Sequence, residues 1–594
     1  AMEDIVDYSK ENGYSLNFSI NAKLYKDILV FKGVYGMNQE NVRRSTFIPS
    51  DVYFARMYKS RGNIYSQRRQ TQTLEAMLSF SKYMFNFVQV DAMAGMGKYL
   101  ESNEGYGISY EDTHDMINEH DISSAKGKIY PTSHTLKNEK RSQFFKLSFD
   151  VLDRYVISAT LRRDGTDKFF PGKKYALFPS VSAAWKISNE KFLKDVFWIN
   201  LLKLRASYGK TGQDNLGSSL YGVYEPSGFK VGFNDNGLFY VPCVSMGTNY
   251  PDVSWQKTIM KNIGLDFYLF KNRVSGSIDV FRNDVTSLLG YASTSPLAIY
   301  PTRPINGGHF YRQGWEIMLD TKNMVGDFNW NTQLTFSKTN SFWKERMPNY
   351  DYRSYQKRNK EPMNAYYYYK MTGIINADRS NMPESQKTLQ AEAQLPGCPI
   401  IDDKNNDGKI DENDIYLKDN TPDIYIGFGN TFTYKNWEFS FFMYGQFGIL
   451  KSNIAYRAAL PGPLAVDYPE NTNKYAYLLW NSQTNPNGTR PGLAVDRMGA
   501  LPGGAGVNID MENASFVRMR NITLSYNFRD KILGKLKKYV KGIKVYADVQ
   551  NPFVISKFKG FDPEIYTGGG GANNASRGEY PQARTFTLGT NIVF

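Results

Sequence analysis

Apolar and polar residues alternate with a period of two along segments of about ten residues, and this pattern limits what the chain can fold into. An extended strand with this alternation carries apolar side chains on one face and polar side chains on the other. One apolar series comprises Phe145, Leu147, Phe149, Val151, Tyr155, Ile157, Ala159 and Leu161. Two more comprise Ile263, Leu265, Phe267, Leu269, Val274, Ile278 and Val280, and Trp437, Phe439, Phe441 and Met443. The pattern predicts an all-β chain.

The segments that separate these series are of two unlike kinds. Short turns are predicted at Leu152-Asp153-Arg154 and at Lys271-Asn272-Arg273. Long polar segments without alternation occupy 101–141, 210–250, 340–425 and 455–515. Short turns on one side and long loops on the other are typical of a membrane barrel, in which the long loops are extracellular. A change in apolar parity near Arg518–Asn521 predicts a β-bulge or an entry loop.

Composition agrees with a strand-built membrane protein. Aromatic residues make up 15% of the 594 residues, mean hydropathy is -0.49, and no stretch approaches the ~18 apolar residues of a membrane-spanning helix. Alternation keeps the mean hydropathy of a barrel low. The net charge of +14 is spread among 72 basic and 58 acidic residues, so it does not indicate a nucleic-acid-binding patch. The prediction is a large antiparallel transmembrane β-barrel with long extracellular loops.

A soluble β-sandwich or propeller is the alternative for any alternating sequence. Strands in those folds are usually nearer 5–6 residues, and propellers repeat at a fixed period that is not found in this chain. Cys243 and Cys398 lie far apart and indicate neither a disulfide framework nor a zinc site. The first ten residues contain neither the basic start nor the apolar core of a signal peptide, so we expect a processed or partial sequence.

Several segments resemble the SusC/RagA family of TonB-dependent outer-membrane transporters. The resemblance rests on 163–169 (RDGTDKF), 177–185 (LFPSVSAAW), 202–212 (LKLRASYGKTG), 262–266 (NIGLD), 561–564 (FDPE) and 580–589 (YPQARTFTLG). These segments follow one another in the family's order over roughly 140–594. Gln256 and Ala583 stand where the family usually has Glu and Pro.

The resemblance implies a barrel of about 22 strands when complete, most of them in this chain. It divides the chain into 1–140, N-terminal barrel strands and loops that lack the plug domain, and 141–594, the barrel proper. It implies active import of large nutrients, oligosaccharides or peptides, coupled to TonB through a region missing from this chain. It also implies a SusD-like surface lipoprotein as a lid, contact with membrane lipid and lipopolysaccharide, and no nucleic-acid partner.

The acidic loop 403–414 has the spacing of an EF-hand calcium loop. Its candidate ligands are Asp403, Asn405, Asp407, Lys409, Asp411 and Asp414. Oxygen atoms at such positions suit a hard cation, and Gly408 permits the sharp bend. The twelfth position is Asp rather than Glu, which weakens bidentate ligation. The alternative is an Asx-rich turn that is held by side-chain to backbone hydrogen bonds. Calcium is therefore one of two hypotheses.

Two other function classes stay open. A passive porin shares the alternation, and a barrel-borne hydrolase needs a nucleophile, a base and an acid that converge. We assign no catalytic residue, because His114, His120, His134 and His309 show no metal or triad spacing. The run Tyr366–Tyr369 suits sugar stacking, an aromatic girdle or a strand with packed tyrosines. The series that ends the chain, 586–594, predicts a closing strand with Phe594 at the periplasmic end.

Overall fold

The structure is a computed structural model of the 594-residue chain. The residues that it describes are 5–50, 52, 60–113, 122, 125–216, 224–227, 230–234, 237–240, 243–246, 250–294, 302–348, 350, 352–356, 360–453, 477–492, 495, 498–528, 534, 539–560, 562–564 and 582–593. His114, His120 and Phe594, which were singled out above, lie outside the described residues, as do 455–476, 493–494 and 496–497 of the predicted loop 455–515.

Strands make up most of the described chain. The first fourteen are β1 (Val6–Tyr25), β2 (Leu29–Ile48), β3 (Arg61–Met84), β4 (Val88–Glu111), β5 (Ile129–Val151), β6 (Tyr155–Thr166), β7 (Tyr175–Lys186), β8 (Ile199–Gln213), β9 (Tyr224–Ser227), β10 (Lys230–Asn234), β11 (Gly237–Tyr240), β12 (Cys243–Met246), β13 (Gln256–Leu269) and β14 (Val274–Ser293). The others are β15 (Thr302–Met324), β16 (Phe328–Glu345), β17 (Ala365–Tyr369), β18 (Met371–Ile374), β19 (Pro399–Ile401), β20 (Tyr416–Asp419), β21 (Ile424–Tyr434), β22 (Trp437–Phe447), β23 (Leu450–Ser452), β24 (Gly506–Val507), β25 (Met511–Asn513), β26 (Phe516–Phe528), β27 (Gly542–Ser556) and β28 (Thr585–Val593).

Helical structure in the described residues is confined to short 3₁₀ turns. They are Ile187–Asn189, Ser354–Gln356, Glu384–Thr388, Ala391–Gln394, Glu412–Asp414 and Pro502–Gly504. Within the described part of the chain, no helix has the length and apolar character needed to cross a membrane.

The chain divides into two compact units, and the first contains residues 1–185, 207–259 and 287–307. In this unit β1 to β7 form an antiparallel meander in which each strand pairs with the next along the chain. The predicted turn after β5 is confirmed. Leu152 and Asp153 have φ values of 57° and 54°, as a two-residue type I′ hairpin turn requires.

The second unit contains residues 186–206, 260–286 and 308–594. Here β15, β16, β21, β22, β26, β27 and β28 pair in that order, again antiparallel. The predicted turn at Lys271–Arg273 is also confirmed, since the Arg273 amide donates to the carbonyl oxygens of Leu269 and Phe270 at 3.0 and 3.2 Å. The series that ends the chain forms β28, which pairs with β27.

The two faces of the strands differ as the alternation predicts. Phe145, Ile157, Ile278 and Phe439 are exposed apolar side chains, whereas Leu147, Leu265 and Phe441 are half-buried. On the opposite face of the β5–β6 hairpin, the hydroxyls of Ser148 and Ser158 lie 2.7 Å apart. We call these the apolar face and the polar face of the wall.

The parity change near Arg518 is a bulge, as predicted. The register of β26 shifts between Phe442 and Met443 of β22, and again between Met519 and Asn521 against β27. One extra residue in a strand turns the following side chains to the other face, so the apolar series resumes at Ile522.

The predicted loop 101–141 is largely wrong. β4 continues to Glu111 and β5 begins at Ile129, and the two pair from Tyr110–Ile129 to Val88–Val151. The upper part of this hairpin carries polar residues on both faces, which removes the alternation that identifies a strand. By contrast, the wall strands β16 and β21 do end at Glu345 and begin at Ile424, so most of 340–425 lies outside the wall.

Candidate functional site

The connections β16–β21 and β22–β26 fold together into a compact body within the second unit. We call the described residues of 346–423 and 477–515 the loop assembly. It contains the small sheets β17–β20–β24 and β18–β19. Its buried core consists of Tyr355, Tyr369, Ile375, Leu389, Ala393, Cys398, Ile401, Ile410, Ile415, Met498, Leu501 and Ala505. Because the core draws on both connections, each one stabilises the other.

Tyr369 joins the two connections at the centre of this core. Its side chain is fully buried, and its hydroxyl lies 3.0 Å from the Asp411 carbonyl oxygen and 2.9 Å from that of Pro502. Burial, followed by the nearby Asp414 carboxylate, raises the pKa of Tyr369 well above its usual value. The neutral Tyr369 hydroxyl thus links the backbone at Asp411 to the backbone at Pro502 through hydrogen bonds.

A second buried polar side chain, Gln386, holds the first connection together. Its amide donates to the carbonyl oxygens of Ala393 and Pro399 at 3.0 and 3.2 Å and accepts from the Ile401 amide at 3.0 Å. Buried polar groups that are satisfied in this way favour one conformation over others. The loop assembly is therefore built as a folded platform.

The acidic loop lies in this assembly, between β19 and β20. Asp403 accepts from the amides of Asp407 at 3.2 Å and Gly408 at 2.9 Å, and Asn405 donates to Asp407 at 3.0 Å. Gly408 has a φ of 83°, which explains the glycine. These three predicted residues are brought together in the first half of the loop.

The second half of the acidic loop is arranged around a 3₁₀ turn. Asp411 accepts from the Asn413 amide at 2.8 Å, and Asp414, fully buried, accepts from the amides of Lys404 and Asp411 at 3.0 and 2.8 Å. The backbone hydrogen bond from Asn413, then Lys409, holds the pKa of Asp411 below its usual value.

Lys409 lies between the two halves of the acidic loop. Its ammonium is 3.1 Å from Asp411 and 4.0 Å from Asp407, and Asp411 raises the pKa of Lys409. Among the residues that the structure describes, no three His, Cys, Asp or Glu side chains are grouped to hold a metal. The loop has the hydrogen bonds of the Asx-rich alternative, and calcium binding stays a prediction.

If the loop binds calcium, the chelator-treated complete protein should bind one calcium ion in a calorimetric titration. We expect Asp403→Asn to weaken this binding roughly tenfold, because ligand charge sets affinity in such loops. The matched control is Asp378→Asn, an exposed acid of the same assembly that accepts from the Ser380 amide. Wild-type protein that shows no calcium heat would exclude a calcium site and leave the Asx-rich turn.

The tyrosine run is a strand with packed tyrosines, and the aromatic-girdle interpretation is wrong. β17 pairs with β20 and β24 rather than with a wall strand. Tyr367 packs against the core beside Tyr369. On the other face Tyr366 stacks on Tyr368 at 5.0 Å, and Tyr368 on Tyr416 at 5.7 Å.

The stacked tyrosines end at a charged group. The Tyr416 hydroxyl donates to Asp402 at 2.7 Å, which raises the pKa of Tyr416 to about 12. Lys404 lies 5.0 Å from the centre of the Tyr416 ring. The ring faces are thus largely used within the protein, so sugar stacking on this run gains no support.

Residues of separate sequence motifs meet on the polar face of the wall. Arg205 contacts Asp266 at 3.0 Å, Asp279 at 2.6 Å and Asn262 at 3.3 Å, and Lys203 contacts Asp266 at 3.1 Å. No sequence motif predicted a role for these charges. Their alternation with apolar neighbours on the same strands was the signal that they face inward together.

Gly264 lies beneath this network. A Cβ atom at position 264 would lie 2.6 Å from the Arg205 Cζ, so a larger residue there would displace the guanidinium from its position across the strand. The charged network therefore ties three strand segments of the second unit together on one face.

A buried ion pair connects the bulge of β26 with the motif at 561–564. Arg518 and Asp562 are 3% and 5% exposed and lie 2.5 Å apart, and the Arg518 Nε is 2.6 Å from Glu564. The hydroxyl of Tyr444 also donates to Glu564. One guanidinium thus contacts both carboxylates where the connection to β28 leaves the wall.

Comparisons with known proteins agree with this architecture. The family model "TonB dependent receptor-like, beta-barrel" matches residues 4–552. TonB-dependent receptor P3 of Formosa agariphila is 26% identical over 622 residues, covering 99% of this chain and 59% of that protein. TonB-dependent receptor SusC of Bacteroides thetaiotaomicron is 29% identical over 498 residues, covering 80% of this chain and 45% of that protein.

Solved structures show the same fold. The structure of the RagAB peptide transporter superposes with a TM-score of 0.79 at 19% identity, covering 99% of this chain and 62% of that chain. This chain therefore spans between 45% and 62% of the length of these relatives.

The fold and these matches define a class, the large antiparallel β-barrels of the outer membrane. The chain belongs to the TonB dependent receptor-like β-barrel family. In barrels of this class the apolar face meets lipid, the polar face lines the lumen, and the short turns are periplasmic.

Proposed function

We propose that the protein imports large nutrients across the outer membrane, coupled to TonB, with a SusD-like surface lipoprotein as its lid. The observation that carries the proposal is the loop assembly, which has its own buried core on the side of the wall away from the short turns. A folded platform of this kind keeps a fixed surface for a partner, whereas flexible loops lose entropy on docking. The likeness to SusC supports the same proposal.

The polar face of the second unit favours oligosaccharides as the first substrate class and peptides as the second. A cavity of about 470 Å³ lies against this face. Ten of its fifteen lining residues carry amides or hydroxyls, and they are Asn272, Ser275, Thr321, Asn331, Thr332, Gln333, Asn430, Thr431, Ser440 and Asn521. Neutral groups that both donate and accept hydrogen bonds suit sugar hydroxyls. RagAB is named a peptide transporter, but the likeness to it is one of fold.

Import in this proposal is driven from the periplasm. The wall supplies a rigid, polar passage, stiffened by networks such as that of Arg205. The moving part in this proposal is a plug that TonB pulls, as in the family's general design.

The proposal is tested by uptake in a strain that lacks the gene and in the same strain complemented with it. With fluorescent oligosaccharides and peptides of matched size, only the complemented strain should accumulate one class. A protonophore should abolish this accumulation, because TonB draws on the inner-membrane proton gradient.

The same experiment separates the rival functions. Uptake that continues with the protonophore present would indicate a passive porin. Cleaved substrate in the medium of the complemented strain alone would indicate a hydrolase. Accumulation that is equal in both strains would contradict import altogether.

A further inference from the structure

The register of the first unit identifies which side chains of β4, β5 and β6 share the lipid-facing side. Ala92 pairs with Leu147, and Ala94 with Phe145, while Phe145 in turn pairs with Leu161. Directly paired residues point to the same face, and every second residue along a strand does so too. The apolar face of these three strands therefore continues upward through Lys98, Arg141 and Arg163.

Four basic side chains occupy this face just above the apolar residues. Lys98 pairs with Arg141, and Ser102 with Lys137, while Gln143 pairs with Arg163. We call Lys98, Lys137, Arg141 and Arg163 the rim cluster. They project on the side that faces lipid rather than the lumen.

The height of the rim cluster matches the edge of the bilayer. Lys98 and Arg141 each lie ten residues from the short turns that end β4 and β5, at Val88 and Val151. At ~3.3 Å per residue and a strand tilt of ~40°, this distance is about 25 Å along the membrane normal, the height of the apolar band of such barrels. Because the short turns are periplasmic, the rim cluster lies at the outer leaflet.

The charges of the rim cluster are only partly neutralised by the protein. Glu139 lies 3.3 Å from Lys98 and 2.5 Å from Arg141, and the Arg141 side chain is still 62% exposed. Arg163 lies 4.3 Å from the centre of the Tyr175 ring, an exposed aromatic at the level of the interface. Four cations with Glu139 and with Glu104, which lies two residues beyond Ser102 on the same face, leave a net charge of +2.

We propose that the rim cluster binds the phosphate groups of an outer-leaflet glycolipid. Guanidinium and ammonium groups make short, charge-assisted hydrogen bonds to phosphate. Their aliphatic stems lie along the apolar face while their charged ends reach the headgroup level. The acyl chains of the same lipid molecule cover the apolar residues below, including Phe145 and Leu161. The site does not depend on which nutrient is imported.

The test uses the complete protein, purified in detergent and titrated with diphosphoryl lipid A or with the same lipid after removal of its phosphates. The variant K98Q/R141Q/R163Q should bind diphosphoryl lipid A roughly 100-fold more weakly than the wild type, about fivefold for each cation removed. The dephosphorylated lipid should bind both proteins equally and weakly.

The matched control is K32Q/R69Q/K146Q, which removes three exposed cations from the polar face of β2, β3 and β5. Lys32, Arg69 and Lys146 pair with Met77, Asn103 and Met93, which lie on the lumen-facing side. This control should bind diphosphoryl lipid A like the wild type. Both variants should migrate as folded barrels in unheated gel samples, which shows that any loss of binding is local.

Three outcomes would overturn the proposal. The first is equal affinity of the wild type and K98Q/R141Q/R163Q for diphosphoryl lipid A. The second is undiminished binding of the dephosphorylated lipid, which would indicate acyl-chain contact alone. The third is displacement of diphosphoryl lipid A by millimolar inorganic phosphate, which would indicate a general anion site instead of a lipid site.

Discussion

Replacing Tyr369 with alanine is expected to unfold the loop assembly while the barrel wall stays intact. The substitution removes a fully buried aromatic ring and leaves the carbonyl oxygens of Asp411 and Pro502 without their shared donor. Aromatic-to-alanine changes in a core cost about 3–5 kcal/mol. The substitution therefore opens the twelve-residue core of this body at its centre.

The effect is measured by hydrogen exchange of the purified complete protein. Backbone amides of β17, β19 and β20 should lose their protection, whereas those of β21 and β22 should keep it. If the proposed SusD-like lid docks on the loop assembly, uptake and co-purification of that lipoprotein should fall to the level of a strain that lacks the gene.

Two further variants keep this prediction falsifiable. Tyr369→Phe retains the ring and removes only the hydroxyl, so a smaller cost of about 1–3 kcal/mol is expected. Tyr350→Ala removes an exposed tyrosine from the same connection and should leave exchange and uptake unchanged. Normal amide protection and normal uptake in Tyr369→Ala would show that the assembly does not depend on its core.

Replacing Arg518 with methionine is expected to release the segment 562–564 from the wall. The change leaves the Asp562 carboxylate buried beside an apolar side chain and removes the cation from Glu564. Breaking a buried ion pair on one side costs about 3–5 kcal/mol, since the remaining charge is uncompensated. Hydrogen exchange at 562–564 should therefore accelerate by the factor that corresponds to this loss of free energy.

Arg520→Met is the matched control, two residues along the same strand. Arg520 is exposed, and among the described residues it donates to the amide oxygens of Asn551 and Gln582, at 3.1 and 3.2 Å. Its loss should cost at most about 1.5 kcal/mol. Adding Asp562→Asn and Glu564→Gln to Arg518→Met should restore much of the protection. Equal exchange in the Arg518 and Arg520 variants would contradict the anchoring role.

The alternation of side chains along the sequence was sufficient to identify the wall. Period two in long segments predicts which residues of β5, β6, β14 and β22 form the apolar face, because a strand leaves no choice of face once its register is set. Short turns such as Leu152–Arg154 were predictable for the same reason. The resemblance to the SusC/RagA family and the family match then agreed on the class.

Alternation of apolar and polar residues does not identify a strand where both of its faces are polar. Above the apolar band, β4 and β5 meet water on both sides, and their polar continuation toward Glu111 and Ile129 was predicted as a loop. Whether such a segment forms a strand depends on its hydrogen bonds to a neighbouring strand. Those bonds depend on two segments together, so the pattern within one segment does not predict them.

Tertiary structure alone decided how distant motifs meet. Phe169 and Phe178 belong to two sequence motifs, and their ring centres lie 5.7 and 5.6 Å from the indole of Trp255, which belongs to neither. The same holds for Arg205 with Asp266 and Asp279. Each of these motifs could be recognised in the sequence, but the contacts that it makes could not be predicted.

The sequence by itself determined the class of wall, its faces, its short turns and its bulge, because each of these follows from local spacing along one strand. The core that unites two connections around Tyr369, the ion pair of Arg518 with Asp562, and the rim cluster were decided only by the fold. Their partners lie tens to more than a hundred residues apart, and no local pattern encodes which of them come into contact.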